Sequence, residues 1–330
     1  MSLLDDNPPD NEEENPRAQP SSEQPEGPAT AEPFAQSLGG DPLSYVPVTP
    51  GDSGTAANLP DDLRISWSWP HLLVFGVFVV TSLITLQLAA VFYFSMNRHL
   101  SEKQLKRLFE SDPRLLIGLN VFWFALILFF LYITLAVLRD LPFWRSLGWK
   151  KLQSDPLEGK GRPWMYFLSG CGLSIFVVIA SSRVKEADHV PIQDLFKSRA
   201  GAFSLMAMAV LVAPLVEETV FRGYLYPVFV RITSAVLRHY GMEFSSATRT
   251  GVVTSIMLTG TLFGLMHAPQ LGWTWGLVSL LTLVGVIFTF ARAWTGTVLA
   301  SFLLHLGYNS MIAFTSIIAT KGFTHMPTGH

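Results

Sequence analysis

Long runs of hydrophobic residues without a charged side chain dominate the chain from residue 72 onward. The first two runs, 72–94 and 115–138, extend over 23 and 24 residues, and Asn120 is the one strongly polar side chain in the second. A helix rises 1.5 Å per residue, so about 20 residues cross the roughly 30 Å hydrocarbon layer of a bilayer. Both runs therefore predict transmembrane helices.

Shorter apolar stretches follow in the second half of the chain. They cover 164–180, 202–216, 251–267, 273–291 and 297–319. The predicted fold class is all-α, a polytopic transmembrane helical bundle of about seven hydrophobic segments. The number of segments is predicted to within one or two, because short spans and interfacial helices have similar lengths. Lysine and arginine, which are typical of cytoplasmic loops, are abundant in both loops 97–114 and 139–163. These loops lie on opposite faces of the membrane if 115–138 crosses it, so the charges do not assign an orientation.

The first 66 residues have a different composition. They contain 11 prolines, no lysine and few bulky apolar side chains. Such a segment cannot bury enough surface to offset the entropy of its chain. We therefore expect 1–66 to be a disordered acidic tail, 67–150 to hold two transmembrane helices with their loops, and 321–330 to be a C-terminal tail. The tail lacks the basic start and early apolar stretch of a signal peptide, so the first span should remain in the mature protein.

Charge and composition narrow the function classes. The 330 residues are 49% hydrophobic and 15% charged, whereas about 25% is typical of globular proteins, which excludes an ordinary soluble enzyme. The tail holds 13 of the 25 acidic residues, so 67–330 carries a net charge of +9. An apolar body with basic loops predicts a multi-pass membrane protein in contact with the lipid bilayer, in the cell membrane if prokaryotic, and no nucleic-acid partner. The one cysteine, Cys171, excludes an intramolecular disulfide and zinc sites made of several thiolates.

Ionisable residues inside apolar segments are candidates for function, because a carboxylate at the bilayer centre costs on the order of 3 kcal/mol. Glu218 and Arg222 are four residues apart, a spacing that predicts an ion pair on one helical face. Glu217 points about 100° away round the helix and needs another partner. The structural alternative is a simple intrahelical ion pair at a helix end near the membrane interface.

Two histidines and an asparagine follow in later apolar helices. His305 and Asn309 are four residues apart and can offer paired hydrogen-bond donors from one face. A buried imidazole that bonds a neighbouring helix explains His267 or His305 alone at least as well as catalysis does. Together with two carboxylates, these side chains could activate a water and stabilise an oxyanion, as peptide hydrolysis without a serine or cysteine nucleophile requires.

The order and spacing of these residues resemble the CAAX-processing and bacteriocin-processing (CPBP, or Abi) intramembrane proteases, which include the type II CAAX prenyl endopeptidases. Three motifs carry the resemblance: EExxxR in Glu217, Glu218 and Arg222, FxxxH in Phe263 and His267, and HxxxN in His305 and Asn309. The resemblance covers approximately 150–320, so it implies a protease core at 151–320 and leaves the acidic tail and the first two spans outside it.

The resemblance implies an endopeptidase that acts on a peptide or protein substrate in the membrane. In it, Glu217 and His267 would activate the attacking water, and His305 and Asn309 would form the oxyanion hole. Supporting roles fall to Glu218, Arg222 and Phe263. No metal or other cofactor is predicted, although Glu217, His267 and His305 could alternatively bind zinc and leave one position open.

Two other functions compete with proteolysis. A catalytically silent membrane scaffold or immunity-type protein could keep the same motifs and act by binding another protein. A transporter with a Glu/His proton relay would also place ionisable residues in spans, but the sequence has no internal inverted repeat and this reading leaves Asn309 unexplained. The sequence does not indicate whether the substrate is prenylated.

Overall fold

The computed structural model describes residues 60, 62–152, 161–184 and 199–324. These residues form helices joined by loops, with no β-strand among them. The helices are α1 (Trp69–Arg98), α2 (Glu102–Ser111), α3 (Pro113–Tyr132), α4 (Phe143–Ser146), α5 (Pro163–Ser181), α6 (Arg199–Ala207), α7 (Ala213–Glu218), α8 (Tyr226–His239), α9 (Phe244–Met266), α10 (Trp275–Thr295) and α11 (Val298–Ala319). π-Helical segments extend α3 over Ile133–Val137 and join α6 to α7 and α7 to α8 over Met208–Val212 and Thr219–Leu225.

Among the described residues, seven helical runs are long and apolar enough to cross a membrane. They are Trp69–Arg98, Pro113–Val137, Pro163–Ser181, Arg199–His239, Phe244–Met266, Trp275–Thr295 and Val298–Ala319. The predicted all-α polytopic bundle of about seven segments is therefore confirmed. The amphipathic helix α2 lies between the first two runs and carries much of the basic charge of loop 97–114.

Two runs begin or end far from the boundaries that hydropathy predicted. The apolar stretch 202–216 is part of a 41-residue helical run, because the charged residues that follow it are buried rather than solvated. Helix α9 begins at Phe244 rather than near 251, because Glu243 caps it by accepting hydrogen bonds from the backbone N–H groups of Ser245 and Ser246. A polar first turn with such a cap is invisible to a search for apolar residues.

The 41-residue run is irregular where the motif residues lie. π-Helical segments stand on both sides of α7, which ends at Glu218. Pro214 and Pro227 fall in the first turns of α7 and α8, directly after these segments. Proline lacks an N–H and clashes with the preceding turn of a regular α-helix, and a local π segment adjusts the backbone around it. Short π segments are frequent at functional sites.

The last residues of the predicted tail pack on the helical body. Leu63 is buried against Tyr226, Val230 and Ile256, and the next turn of chain leads to Trp67, whose indole is 1% exposed. The prediction of disorder is therefore wrong for 62–66, since a composition averaged over 66 residues conceals one buried leucine. Residues 1–59 and 61 of the predicted tail lie outside the described residues, as do 325–330 of the predicted C-terminal tail.

Small residues bring the helices of the second half close together. A Cβ built on Gly170 of α5 would lie 2.0 Å from the carbonyl oxygen of Leu304, and one on Gly307 would lie 2.0 Å from that of Phe167. A Cβ built on Gly285 of α10 would likewise lie 2.8 Å from the carbonyl oxygen of Gly260 of α9. Glycine allows membrane helices to pack backbone against backbone. This packing places α7, α9, α10 and α11 around one buried set of polar side chains.

Candidate active site

Glu218 and Arg222 form the centre of the polar set. A guanidinium nitrogen of Arg222 lies 2.9 Å from Oε1 of Glu218, and both side chains are 0% exposed. The predicted ion pair is therefore confirmed, but it is fully buried and not the interfacial pair of the structural alternative. Two buried charges require good geometry and further hydrogen bonds to offset the loss of hydration.

Helix α10 supplies those further hydrogen bonds to Arg222. The guanidinium donates to the hydroxyl of Thr289 at 3.2 Å and to the carbonyl oxygen of Gly285 at 2.9 Å. The Thr289 hydroxyl in turn donates to the same carbonyl at 2.7 Å. Arg222 thus bonds α10 through two of its nitrogens and Glu218 through the third. Neither Gly285 nor Thr289 stands out in the sequence, although the two share one face of α10 at a spacing of four residues.

Aromatic rings enclose the guanidinium of Arg222. Its central carbon lies 4.6 Å from the ring centroid of Phe263, 5.4 Å from that of Phe288 and 5.7 Å from that of Phe221. The faces of aromatic rings attract a cation, and the attraction grows where water is excluded. Phe263 thus contacts Arg222, and its supporting role stays a prediction. Phe221 and Phe288 were not singled out from the sequence, because phenylalanines are common in every apolar segment.

His305 lies between the two carboxylates. Its Nδ1 is 2.9 Å from Oε1 of Glu218, and its Nε2 is 3.8 Å from Oε2 of Glu217. An ionised carboxylate only accepts, so Nδ1 donates to Glu218 and Nε2 faces Glu217. The partner of Glu217 that the sequence left open is therefore His305. Glu217 is 16% exposed whereas Glu218 is 0% exposed, so only Glu217 retains an accessible carboxylate.

His267 reaches the same region from the end of α9. Its Nδ1 lies 2.8 Å from the carbonyl oxygen of Phe263. Because a carbonyl only accepts, Nδ1 carries the hydrogen and a neutral imidazole keeps a lone pair at Nε2. Its ring packs 4.7 Å from that of Phe263, which is 5.8 Å from the ring of His305. Among the described residues His267 has no direct hydrogen bond or ion pair with Glu217, so their joint action on a water stays a prediction.

Asn309 lies one helical turn beyond His305 on α11. Its amide nitrogen donates to the carbonyl oxygen of Ala209 at 2.7 Å. Ala209 belongs to the π segment that precedes α7, so Asn309 joins α11 to the helix that carries both glutamates. His305 and Asn309 thus bond different partners, and an amide keeps a second hydrogen for another acceptor. The predicted oxyanion role of the two residues stays a prediction.

Zinc would need three ligands at this site. No group of three His, Cys, Asp or Glu in the described part of the chain is arranged to hold a metal ion. The set of Glu217, His267 and His305 in this arrangement therefore does not fit a three-ligand zinc site. Hydrolysis without a metal ion remains a prediction, which chelation can test.

Comparison with known proteins adds one finding. Residues 199–311 match the family described as Type II CAAX prenyl endopeptidase Rce1-like. The matched segment contains all seven motif residues, so the relation to CAAX proteases that the motifs indicated is confirmed for this part of the chain. No curated protein and no solved structure matches the chain.

Proposed function

We propose that this chain, related to the type II CAAX prenyl endopeptidases over residues 199–311, is an intramembrane endopeptidase. Its substrates would be membrane-associated peptides or proteins, with prenylated CAAX proteins as the class that the family suggests. The observation that carries the proposal is His305 between two unequal carboxylates, one buried and paired with arginine and the other accessible. A purely structural ion pair does not require a second, accessible carboxylate beside the same imidazole.

Glu217 and His267 would activate the attacking water. Glu217 can hold the water through its accessible oxygens, and Nε2 of His267 has the lone pair needed to take a proton. As the water oxygen bonds to the scissile carbonyl carbon, its proton passes to this pair. The same proton then moves to the leaving nitrogen as the C–N bond breaks. The two protein side chains then return to their starting state. Because the water itself is the nucleophile, no serine or cysteine nucleophile is needed.

His305 and Asn309 would stabilise the tetrahedral intermediate. Nδ1 of His305 is engaged by Glu218, which leaves Nε2 for the substrate oxygen. Donation from Nε2 requires the imidazolium form, whose charge would face the developing oxyanion. The second amide hydrogen of Asn309 would complete the pair of donors, an arrangement that is usually worth several kcal/mol, about 3 per donor.

Glu218 and Arg222 would position the reacting groups. Glu218 holds the His305 ring through one oxygen, and Arg222 neutralises that carboxylate. In the described part of the chain, the other oxygen of Glu218 is buried without a hydrogen-bond partner. A buried acceptor of this kind costs about 1 to 3 kcal/mol unless a donor reaches it. Because Glu218 is 0% exposed, such a donor has to come from the protein itself, and the hydroxyl of the buried Ser301 on α11 lies beside this carboxylate.

Cleavage of defined peptides tests the proposal. Purified protein in detergent would be given a membrane peptide with a prenylated CAAX terminus and the same peptide without the prenyl group. We expect wild type to cleave, and His267→Ala to cleave about 10² to 10⁴ times more slowly. His239→Ala, an exposed histidine at the end of α8, is the matched control and should cleave like wild type. Equal cleavage by His267→Ala would contradict the mechanism, and stable binding without cleavage would favour the scaffold function.

Chelation distinguishes the metal-free mechanism from a zinc-dependent one. The metal-free mechanism predicts full activity after exhaustive chelation and no zinc in purified protein by elemental analysis. Zinc bound by three side chains would make activity sensitive to chelators and leave about one zinc per chain. Recovery of activity by added zinc would overturn the metal-free proposal and make Glu217, His267 and His305 ligands.

A further inference from the structure

Helix α1 packs on the rest of the protein along one face. The ring of Phe75 lies 6.0 Å from that of Phe130 and 4.8 Å from that of Tyr224. The hydroxyl of Ser82 accepts from the indole N–H of Trp123 at 3.2 Å. Of the most apolar stretch of α1, 6% of the residues are buried in the protein, against 39% in α9 and in α10. Most of α1 therefore faces outward into the membrane.

The outward face of α1 carries a regular repeat. Six of its residues are spaced alternately four and three positions apart, and we call them the α1 seam: Leu73, Val77, Val80, Ile84, Gln87 and Val91. The five apolar members are 40 to 59% exposed, and the glutamine is exposed as well. A hydrophobic repeat with a mean spacing of 3.5 residues allows two helices to keep one line of contact along their length.

The side chains of the α1 seam suit a pair of helices. In the lettering of a heptad repeat, its a positions are all β-branched: Val77, Ile84 and Val91. β-Branched residues at a favour two-stranded coiled coils. Phe75 and Ser82, which contact the body of the protein, both fall at f, on the opposite side of the helix from a and d. A second helix can therefore contact the seam without displacing the body.

Gln87 is the one polar side chain of the α1 seam. It lies seven residues before the end of the apolar run 72–94, about 10 Å inside the hydrocarbon layer. In the part of the chain that the structure describes, its carboxamide has no hydrogen-bond partner. By contrast, the hydroxyl of Thr81 on the same helix donates to the carbonyl of Val77 at 2.8 Å. Hydrocarbon offers no hydrogen bonds, so an amide exposed to it favours a partner on a second helix.

A second copy of this chain fits the α1 seam. Two copies inserted in the membrane in the same orientation present parallel α1 helices, so each residue of the seam meets its counterpart across a two-fold axis. A carboxamide carries both N–H donors and an acceptor oxygen. Gln87 of one copy can therefore donate to the partner's Gln87 and accept from it. Interhelical hydrogen bonds of this kind stabilise the association of membrane helices.

We propose that the α1 seam joins two copies of this chain into a parallel homodimer in the membrane. The two Gln87 side chains form a hydrogen-bonded pair on the two-fold axis, and the apolar members of the seam pack on either side of it. The f face of each α1 stays on its own protomer, so the candidate active sites remain within the separate protomers. The dimer does not depend on peptidase activity, and the oligomeric state measures it directly.

Dimerisation of the full-length protein in lipid vesicles tests the proposal. Single-molecule photobleaching would count the copies per complex as the protein-to-lipid ratio is varied. We expect wild type to dimerise, Gln87→Leu to weaken the dimer about tenfold, and Gln87→Asn to keep most of the affinity. Asn120→Leu removes another exposed carboxamide, on α3 and outside the seam, and should dimerise like wild type. Matching circular dichroism spectra would show that all four proteins fold.

Cysteine cross-linking identifies the face that is in contact. In a Cys171→Ala background, which removes the one native thiol, Ile84→Cys places a thiol in the seam and Phe92→Cys places one outside it, at a residue that is 68% exposed. We expect oxidation in membranes to link two copies through position 84 and not through position 92. Equal linking at both positions, monomeric wild type at every protein-to-lipid ratio, or wild-type affinity of Gln87→Leu would overturn the proposal. So would linking of position 84 to a different membrane protein, which would identify a heterologous partner for α1.

Discussion

Two buried arginines, Arg222 packed against α10 and Arg292 within α10, show how differently this molecule uses ion pairs of the same chemical type. Arg222 contacts Glu218 at 2.9 Å and Arg292 contacts Asp62 at 2.7 Å, and neither guanidinium is more than 1% exposed. Glu218 precedes its arginine by four residues and is 0% exposed. Asp62 is 230 residues away from its arginine and keeps 15% exposure.

The surroundings of the two arginines explain the difference. Arg222 has hydrogen bonds from all three nitrogens and three aromatic rings around it. Arg292 lies over one ring, that of Tyr226, and within the described residues its Nε has no hydrogen-bond partner. The first pair belongs to a fully buried network inside the candidate active site, and the second joins the segment 62–67 to the body. We therefore expect the first pair to govern both activity and stability, and the second to govern stability alone.

The largest effect should come from Arg222→Gln. This change leaves the Glu218 carboxylate buried without its cation, and breaking a buried pair in this way costs about 3 to 5 kcal/mol. Because Glu218 holds His305, peptidase turnover should also fall. Melting temperature in detergent and turnover measure the two effects. A variant that melts like wild type would show that Arg222 is not essential to the buried network.

Removal of the packed segment should have the next largest effect. Deletion of 1–66 removes the Asp62 contact and the buried Leu63 and should cost about 2 to 4 kcal/mol, whereas deletion of 1–59 should leave the melting temperature unchanged. The two deletions differ by seven residues, so their comparison isolates the segment. Equal melting temperatures would show that the segment does not stabilise the body.

Asp62→Asn should have a smaller effect. The neutral amide weakens the contact with Arg292, and the partial exposure of Asp62 allows water to compensate, so we expect a loss of about 1 to 2 kcal/mol. Turnover by the remaining folded protein should equal that of wild type. Asp140→Asn, at an exposed loop position, is the matched control and should be neutral within about 0.5 kcal/mol. A loss of turnover in Asp62→Asn at wild-type stability would contradict the expectation that this pair affects stability alone.

Thr289→Val should have the smallest effect. It removes one hydrogen bond to Arg222 and one to the carbonyl of Gly285 while keeping the shape of the side chain. Arg222 still donates to that carbonyl, so the loss should be about 1 kcal/mol. Thr289→Ser should retain wild-type stability. A loss as large as that of Arg222→Gln would show that the hydroxyl, and not the carboxylate, holds the guanidinium.

The same two pairs show what the sequence could predict. The contact between Glu218 and Arg222 is local, so helical spacing alone predicted it, and the seven apolar runs predicted the bundle. The contact of Asp62 with Arg292 depends on how the whole chain folds, and the composition of the tail pointed the other way. The approach of His305 to Glu217 likewise joins distant helices. It follows from the packing of α11 against α7, which no local pattern records.

We propose that the two adjacent glutamates have different roles, Glu217 in chemistry and Glu218 in positioning. Turnover and melting temperature of Glu217→Gln and Glu218→Gln, measured on the same preparations with the peptide that wild type cleaves, test it most directly. We expect Glu217→Gln to lower turnover about 10² to 10⁴-fold at an unchanged melting temperature. Glu218→Gln should lower both turnover and melting temperature, because it leaves Arg222 buried without a counter-charge. Wild-type turnover by a folded Glu217→Gln protein would contradict it.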